Sequence, residues 1–192
     1  MNFSKGRVRI IGGEYRSRVI RVPARAGLRP TPDRVRETLF NWLGQDLAGL
    51  ACLDLYAGSG ALGFEAASRR AARVVMVEAD RVALAALERS RKALGAERVE
   101  VVAGEALAYL ARARERFDVV FLDPPFRQNA VPAVLEKLPP RLQRGARAYV
   151  EAEAPVAAGA AWVELKRGRA GQVSYQLLQW SGHDPRGVRG NV

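Results

Sequence analysis

The stretch Asp54-Leu55-Tyr56-Ala57-Gly58-Ser59-Gly60-Ala61-Leu62-Gly63 sets a GxGxxG pattern (Gly58, Gly60, Gly63) directly behind the apolar run Ala51-Cys52-Leu53. Glycines at these spacings allow a tight strand-to-helix turn and close backbone approach to a ligand. Twenty positions after Gly58, Glu78 closes a second apolar run, Val74-Val75-Met76-Val77. An acid there can accept the protons of both ribose hydroxyls. The glycine pattern alone is weak evidence. Between a strand and a helix, with an acid ending the next strand, it predicts a site for an adenosine-containing cofactor.

Asp54 narrows that choice. An acid at the carboxyl end of the first strand faces the loop and repels a pyrophosphate. The same acid suits S-adenosylmethionine, which carries an ammonium group and a cationic sulfur. The next polar position is Gly104-Glu105-Ala106, after a third apolar run. It lies where an adenine amine could be met, although Glu105 can equally begin a helix, where the dipole favours an acid.

Outward from this segment the pattern alternates strand and helix. Strands are expected at about 51–55, 73–78, 99–103 and 118–123, and helices at about 60–69, 81–94, 105–114 and 129–138. Continuous apolar runs such as Val119-Val120-Phe121-Leu122 suit strands buried on both faces. The rhythm predicts an α/β, doubly wound, mostly parallel sheet. Three further strands at about 146–152, 161–167 and 173–180, the last two joined by a turn at 167–171, predict an antiparallel addition.

The fourth strand ends in Asp123-Pro124-Pro125-Phe126, the most specific signal in the chain. Two prolines stiffen the loop, remove two amide donors and favour extended geometry before them. A rigid carboxylate, an outward carbonyl and an aromatic ring then meet at the sheet's carboxyl edge, where ligands bind in such folds. That set suits an exocyclic amine on a nucleic-acid base. Its lone pair is delocalised into the ring, so it attacks poorly unless oriented. Asp123 and the Pro124 carbonyl can each accept one N–H and aim the nitrogen at a methyl donor. Phe126 can stack on the base, contributing roughly 1–3 kcal/mol. A base in paired RNA must first be flipped out. The only histidine, His183, lies in the tail, and no cluster has metal-ligand spacing, so no metal is expected.

The 192 residues suit one domain with a full core. No apolar run approaches the ~20 residues that span a bilayer. Residues 1–13 lack the apolar stretch of a secretory leader. Cys52 has no partner for an internal disulfide, and a cytoplasmic location is expected. Of the net charge of +11, residues 1–36 carry +8, with ten basic residues against Glu14 and Asp33. Single-sign clustering marks a polyanion-binding surface. Residues 7–11 and 18–22 alternate like strands around Gly12-Gly13 and predict a basic hairpin rather than a membrane-surface helix. Arg7, Arg9, Arg16 and Arg18 are its candidate RNA contacts. Thr31-Pro32-Asp33 predicts an N-cap, a first helical proline and a first-turn acid for a helix over about 32–43. The expected organisation is a basic extension over 1–30, a catalytic domain over 31–182 and a disordered tail over 183–192.

Several blocks resemble a known family. They are Arg9-Ile10-Ile11-Gly12-Gly13, Leu28-Arg29-Pro30-Thr31, 33–43 (DRVRETLFNWL), the loop with Asp54, Glu78 and Asp123 to Phe126, and Ala170-Gly171-Gln172-Val173. Together they resemble the RsmD family of class I, Rossmann-like methyltransferases, which act on guanine N2 (guanine 966) of bacterial 16S rRNA. The resemblance spans about residues 7–180. It implies a seven-stranded sheet with a reversed final strand and a substrate in the small ribosomal subunit or its assembly intermediate. It implies cofactor contacts from Asp54, Tyr56, Ala57, Gly58, Gly60, Glu78, Ala79, Glu105 and Ala106, and a grip on the target guanine by Asp123, Pro124, Pro125 and Phe126. Thr31, Arg29 and Arg34 fall in the matching block and touch either cofactor or RNA. A monomer is expected.

Three other readings compete. An adenine-N6 methyltransferase on DNA or RNA meets the same amine problem, but 192 residues leave little room for its usual recognition domain. An inert, ribosome-associated basic module sits badly with an intact loop, acid and Asp-Pro-Pro-Phe. An NAD oxidoreductase is disfavoured by Asp54 and lacks an acid–base pair for hydride chemistry.

Overall fold

A computed structural model describes residues 6–22, 31–125 and 130–182. Phe126, expected to stack on the base, Arg29, expected to touch cofactor or RNA, and the tail 183–192, expected to be disordered, lie outside the described residues. The chain runs β1 (Arg7–Arg9), β2 (Val19–Arg21), α1 (Asp33–Leu43), β3 (Ala51–Asp54), α2 (Ala61–Ser68), β4 (Arg73–Glu78), α3 (Arg81–Leu94), β5 (Val99–Ala103), α4 (Ala106–Arg112), β6 (Phe117–Leu122), α5 (Val131–Lys137), a 3-10 turn (Pro139–Arg141), β7 (Leu142–Ala152), β8 (Trp162–Ala170) and β9 (Val173–Trp180).

Seven strands form one sheet in the order β5-β4-β3-β6-β7-β9-β8. β3 pairs parallel with β4 on one side and β6 on the other. β9 is antiparallel to both β7 and β8, which makes the last strand the reversed one. The β8–β9 turn is Gly171-Gln172, later than the sequence pattern suggests, because β8 extends through Ala170. Gly171 takes φ +61°, the left-handed backbone a two-residue hairpin favours at its first central position.

Side chains alternate across the buried strands. Cys52, Val74, Met76, Val119 and Phe121 join a cluster with α1, α2, α3 and the hairpin. Leu53, Val75, Val77, Val120 and Leu122 join a second cluster with α4 and α5. The continuous apolar runs therefore fill two faces, as a doubly wound sheet requires. Helix ends follow local chemistry. The Asp80 side chain caps α3 by accepting from Val82 N (3.1 Å) and Ala83 N (2.9 Å), and left-handed Gly95 closes it.

The expected cap on α1 is not formed. Pro32 occupies the N-cap position with no side-chain cap bond, and the Thr31 hydroxyl points into the protein, to Glu151. The helix starts one residue later than the pattern sets it, so the cap position falls on Pro32, which has no side-chain acceptor, and Thr31, 6% exposed, faces the interior.

The basic hairpin forms with shorter strands than expected, pairing Val8 with Ile20. Val8, Ile10, Ile20 and Val22 are buried in the first cluster, so the hairpin shares the main core. Its turn docks on the end of α2. Ile11 N and Gly12 N each donate to a different oxygen of Glu65 at 2.9 Å, and Tyr15 N donates to Ser68 Oγ at 2.8 Å. A Cβ on Gly13 would lie 1.8 Å from the Ser68 carbonyl oxygen, so only glycine fits there.

Candidate active site

The strand order reverses between β3 and β6, and the loops leaving these two strands meet at that point. Leu55 N donates to Phe121 O (3.2 Å) and Ala57 N to Val77 O (3.0 Å), so the loop after β3 is tied to both neighbouring strands. Gly60 stands at φ +79° as the N-cap of α2. A Cβ there would lie 2.6 Å from Phe64 and 2.7 Å from Leu87, so the turn cannot take a larger residue.

Four acids end four adjacent strands: Glu78 on β4, Asp54 on β3, Asp123 after β6 and Glu151 near the end of β7. Asp54 is 2% exposed, lies beneath the loop and accepts from Gly63 N at 3.2 Å. Burial raises its carboxyl to about 7, against lowering by the Tyr56 and Gly63 amides and with a small further rise from Glu78. Glu78 is half-buried. Its two oxygens accept from Gly58 N (2.7 Å) and Asp80 N (2.8 Å).

Tyr56 is half-buried, and its hydroxyl is pushed up first by burial and then by the Glu105 carboxylate nearby. Glu105 is exposed at the start of α4 and makes no cap bond. Ala57 and Ala106 are buried and Ala79 is exposed. Thus Asp54, Tyr56, Gly58, Gly60, Glu78 and Glu105 converge on the carboxyl edge of β3, β4 and β5. The donor set fits S-adenosylmethionine in charge, with acids toward a doubly cationic portion and a two-oxygen acceptor toward a diol.

Asp123 is half-buried, Pro124 buried and Pro125 exposed. The Asp123 carboxyl is held well above the usual range by burial first, then by Glu151 and Asp54, with the Thr31 hydroxyl acting the other way. Glu151 is raised by burial and lowered by bonds from Tyr149 and Thr31. Sequence reasoning singled out Asp123 but passed over Glu151, and it left Thr31 between cofactor and RNA. The signal for Glu151 was present: it follows the apolar run Ala148-Tyr149-Val150 as Glu78 and Asp123 follow theirs.

The basic residues fall into exposed and engaged groups. Arg7, Arg9, Arg16 and Arg34 are exposed. Arg18 reaches the end of α3, donating to Leu94 O (3.4 Å) and to Ala93 O. Arg36 is 0% exposed and pairs with Glu65 and Asp33. The charge of residues 1–36 thus overstates what a polyanion can meet. Concavity alone does not locate the chemistry, either. An open groove of about 470 Å³ lies between the hairpin and α1, lined in part by Arg16, Glu37, Asn41, Gln45 and Arg69, away from the acid row.

Known proteins share this architecture. Ribosomal RNA small subunit methyltransferase D of Escherichia coli K12 is 41% identical over 179 residues, covering 91% of this chain and 90% of its own length. The Haemophilus influenzae protein of the same name is 42% identical over 184 residues, covering 92% and 95%. A solved Escherichia coli chain described as a methyltransferase superposes with a TM-score of 0.85 at 42% identity, covering 93% of this chain and all of its own. A family model described as Conserved hypothetical protein 95 matches residues 8–179, nearly the whole chain, and the protein belongs to that family.

Proposed function

We propose that the protein is an S-adenosylmethionine-dependent methyltransferase of small-subunit ribosomal RNA, and that it modifies the exocyclic N2 amine of a guanine of the guanine 966 type. The observation that carries this reading is the position of Asp123. It stands half-buried at the strand-order reversal, beside the glycine loop and its two acids. The names of the relatives at 41% and 42% identity support the ribosomal RNA substrate. Cytoplasmic action on the small subunit or its assembly intermediate, as a monomer, goes with that substrate. No helix among the described residues is long and apolar enough to cross a membrane.

In this reading Gly58 and Gly60 border the amino-acid portion of the cofactor, above Asp54. Glu78, at the end of β4, accepts from the ribose hydroxyls. Tyr56, Ala57, Ala79, Glu105 and Ala106 flank the adenine. Bound there, S-adenosylmethionine supplies an electrophilic methyl group. Asp123 and the Pro124 carbonyl accept the two amine hydrogens and hold the nitrogen in line for attack. Phe126 stacks on the base. Asp123 then takes the proton that the methylated nitrogen sheds. Residues 1–30 act as the RNA-binding extension through Arg7, Arg9, Arg16 and Arg29, with Arg34 beside them on α1, and residues 31–182 act as the catalytic domain.

The test is transfer of a labelled methyl group to small subunits, naked RNA and DNA, followed by mapping of the modified base. Label on guanine N2 of small-subunit RNA is expected, and label on adenine N6 would replace this reading by the adenine alternative. Asp123→Ala is expected to lose transfer by about a hundredfold or more while S-adenosylhomocysteine still binds. Undiminished turnover in that variant would reject the amine clamp.

A further inference from the structure

We infer that Glu151 is a positioning residue for Asp123, locked in place by Thr31 and Tyr149. The inference rests on the proposed role of Asp123 as acceptor for the target amine.

The parallel register of β6 and β7 pairs Leu122 with Val150, which makes Asp123 and Glu151 the next neighbours along the two strands. Glu151 is 4% exposed, too enclosed to meet an RNA base itself. Its Oε1 accepts from the Tyr149 hydroxyl at 2.8 Å and from the Thr31 hydroxyl at 3.0 Å. The Thr31 hydroxyl also borders the Asp123 carboxylate. Thr31 immediately precedes Pro32 and α1, so one hydroxyl joins that segment to both carboxylates.

Packing alone does not account for this arrangement. An apolar residue at 151 would fill the space without the desolvation cost of a buried charge. Two hydroxyl donors are spent to keep a carboxylate there. Its effect falls on Asp123, since a negative neighbour raises the proton affinity of an acid. The methylated amine nitrogen must lose a proton. The N–H bond breaks, its electron pair stays on nitrogen, and the O–H bond forms on Asp123. Glu151 makes Asp123 the better acceptor, and Thr31 holds its carboxylate plane. Among the described residues, Asp123 faces Glu151 on β7, Asp54 on β3 and Thr31 before α1. Glu151 faces Tyr149 and Thr31, and the Tyr149 ring lies against Tyr175 of β9 at 6.4 Å.

The experiment compares wild type, Thr31→Val, Thr31→Ser and Glu151→Gln in full-length protein. It measures kcat and KM with small subunits across pH, S-adenosylhomocysteine binding by calorimetry, and Tm. Thr31→Val and Glu151→Gln are expected to lower kcat about ten- to a hundredfold. KM and S-adenosylhomocysteine affinity should stay within about twofold. Thr31→Ser should restore the rate. The acid limb of kcat should move to lower pH in Glu151→Gln, because Asp123 loses a negative neighbour. It should move to higher pH in Thr31→Val, because the ionised carboxylates lose a donor. Wild-type kcat in Thr31→Val, equal loss in Thr31→Val and Thr31→Ser, or an unmoved acid limb in Glu151→Gln overturns the inference. If Glu151→Gln does not fold, the comparison of Thr31→Val with Thr31→Ser decides. An inactive wild type overturns the proposed function and this inference together, whereas an active wild type with unaffected variants overturns only the inference.

Discussion

Asp54 shows how one side chain can serve a site and tax the fold. Its carboxylate is nearly fully buried, and burial lifts it to about 7 despite two backbone amides that favour the charge. An acid whose folded pKa exceeds its unfolded value binds more protons when folded. Its contribution is therefore largest at low pH and fades as pH rises from about 4, the ordinary carboxylate value, through about 7. The ligand-free protein should lose stability across that window on this account. Asp54→Asn should flatten the dependence, and Tm measured from pH 5 to 8 checks it. An unchanged slope in the variant would assign the titration to another group. The same burial that weakens the empty protein favours a cationic ligand above Asp54, because the charge there is poorly screened.

At the scale of elements, α2 is the hinge point between the hairpin and the sheet. It is buried along its whole length, and Glu65 within it is 0% exposed. Glu65 accepts from Ile11 N, Gly12 N, Arg36 Nη1 (3.3 Å) and Arg69 Nε (3.0 Å). Arg69 lies over the Phe40 ring at 4.7 Å, which brings α1 into the same knot. Removing one member of such a buried set leaves an uncompensated charge, at a cost of roughly 3–5 kcal/mol. Glu65→Gln should therefore lower the unfolding free energy by an amount of that order. It should also raise hydrogen exchange at Ile11 and Gly12 before the sheet amides respond. Equal exchange in both regions would show that the hairpin does not depend on this carboxylate.

Across the whole molecule, charge and chemistry occupy neighbouring regions. The hairpin carries Arg7, Arg9 and Arg16 outward, and α1 adds Arg34. Both elements pack on the α2 face of the sheet, and Thr31 at the start of α1 reaches the acid row. A polyanion bound by these arginines thus lies against a segment that touches Glu151 and Asp123. Neutralising Arg9, Arg16 and Arg34 together should weaken RNA binding and flatten its dependence on log salt by about 0.7–0.9 per lost phosphate contact. Arg18→Ala should instead act mainly on stability, since Arg18 donates to the carbonyls at the end of α3. Filter binding from low to high salt separates the two. An unaltered slope in the triple variant would move the RNA surface elsewhere.

Periodicity and punctuation were enough to read the sheet strands, the helices and the glycine loop, because strand burial, helix capping and tight turns are local demands on neighbouring residues. β4, α3 and β9 fall where the pattern sets them, at Arg73–Glu78, Arg81–Leu94 and Val173–Trp180. The family blocks were legible for the same reason. What the pattern could not convey was the partner of each polar group. Thr31 reads as a helix cap and is a ligand of Glu151, 120 positions away. Arg36 reads as part of a basic surface and is buried against Glu65. Glu151 reads as the end of a strand and stands beside Asp123. Each of these outcomes depends on which side chains the folded chain brings within hydrogen-bond reach in a water-poor interior. There a charge must find its counterpart, and sequence separation no longer counts.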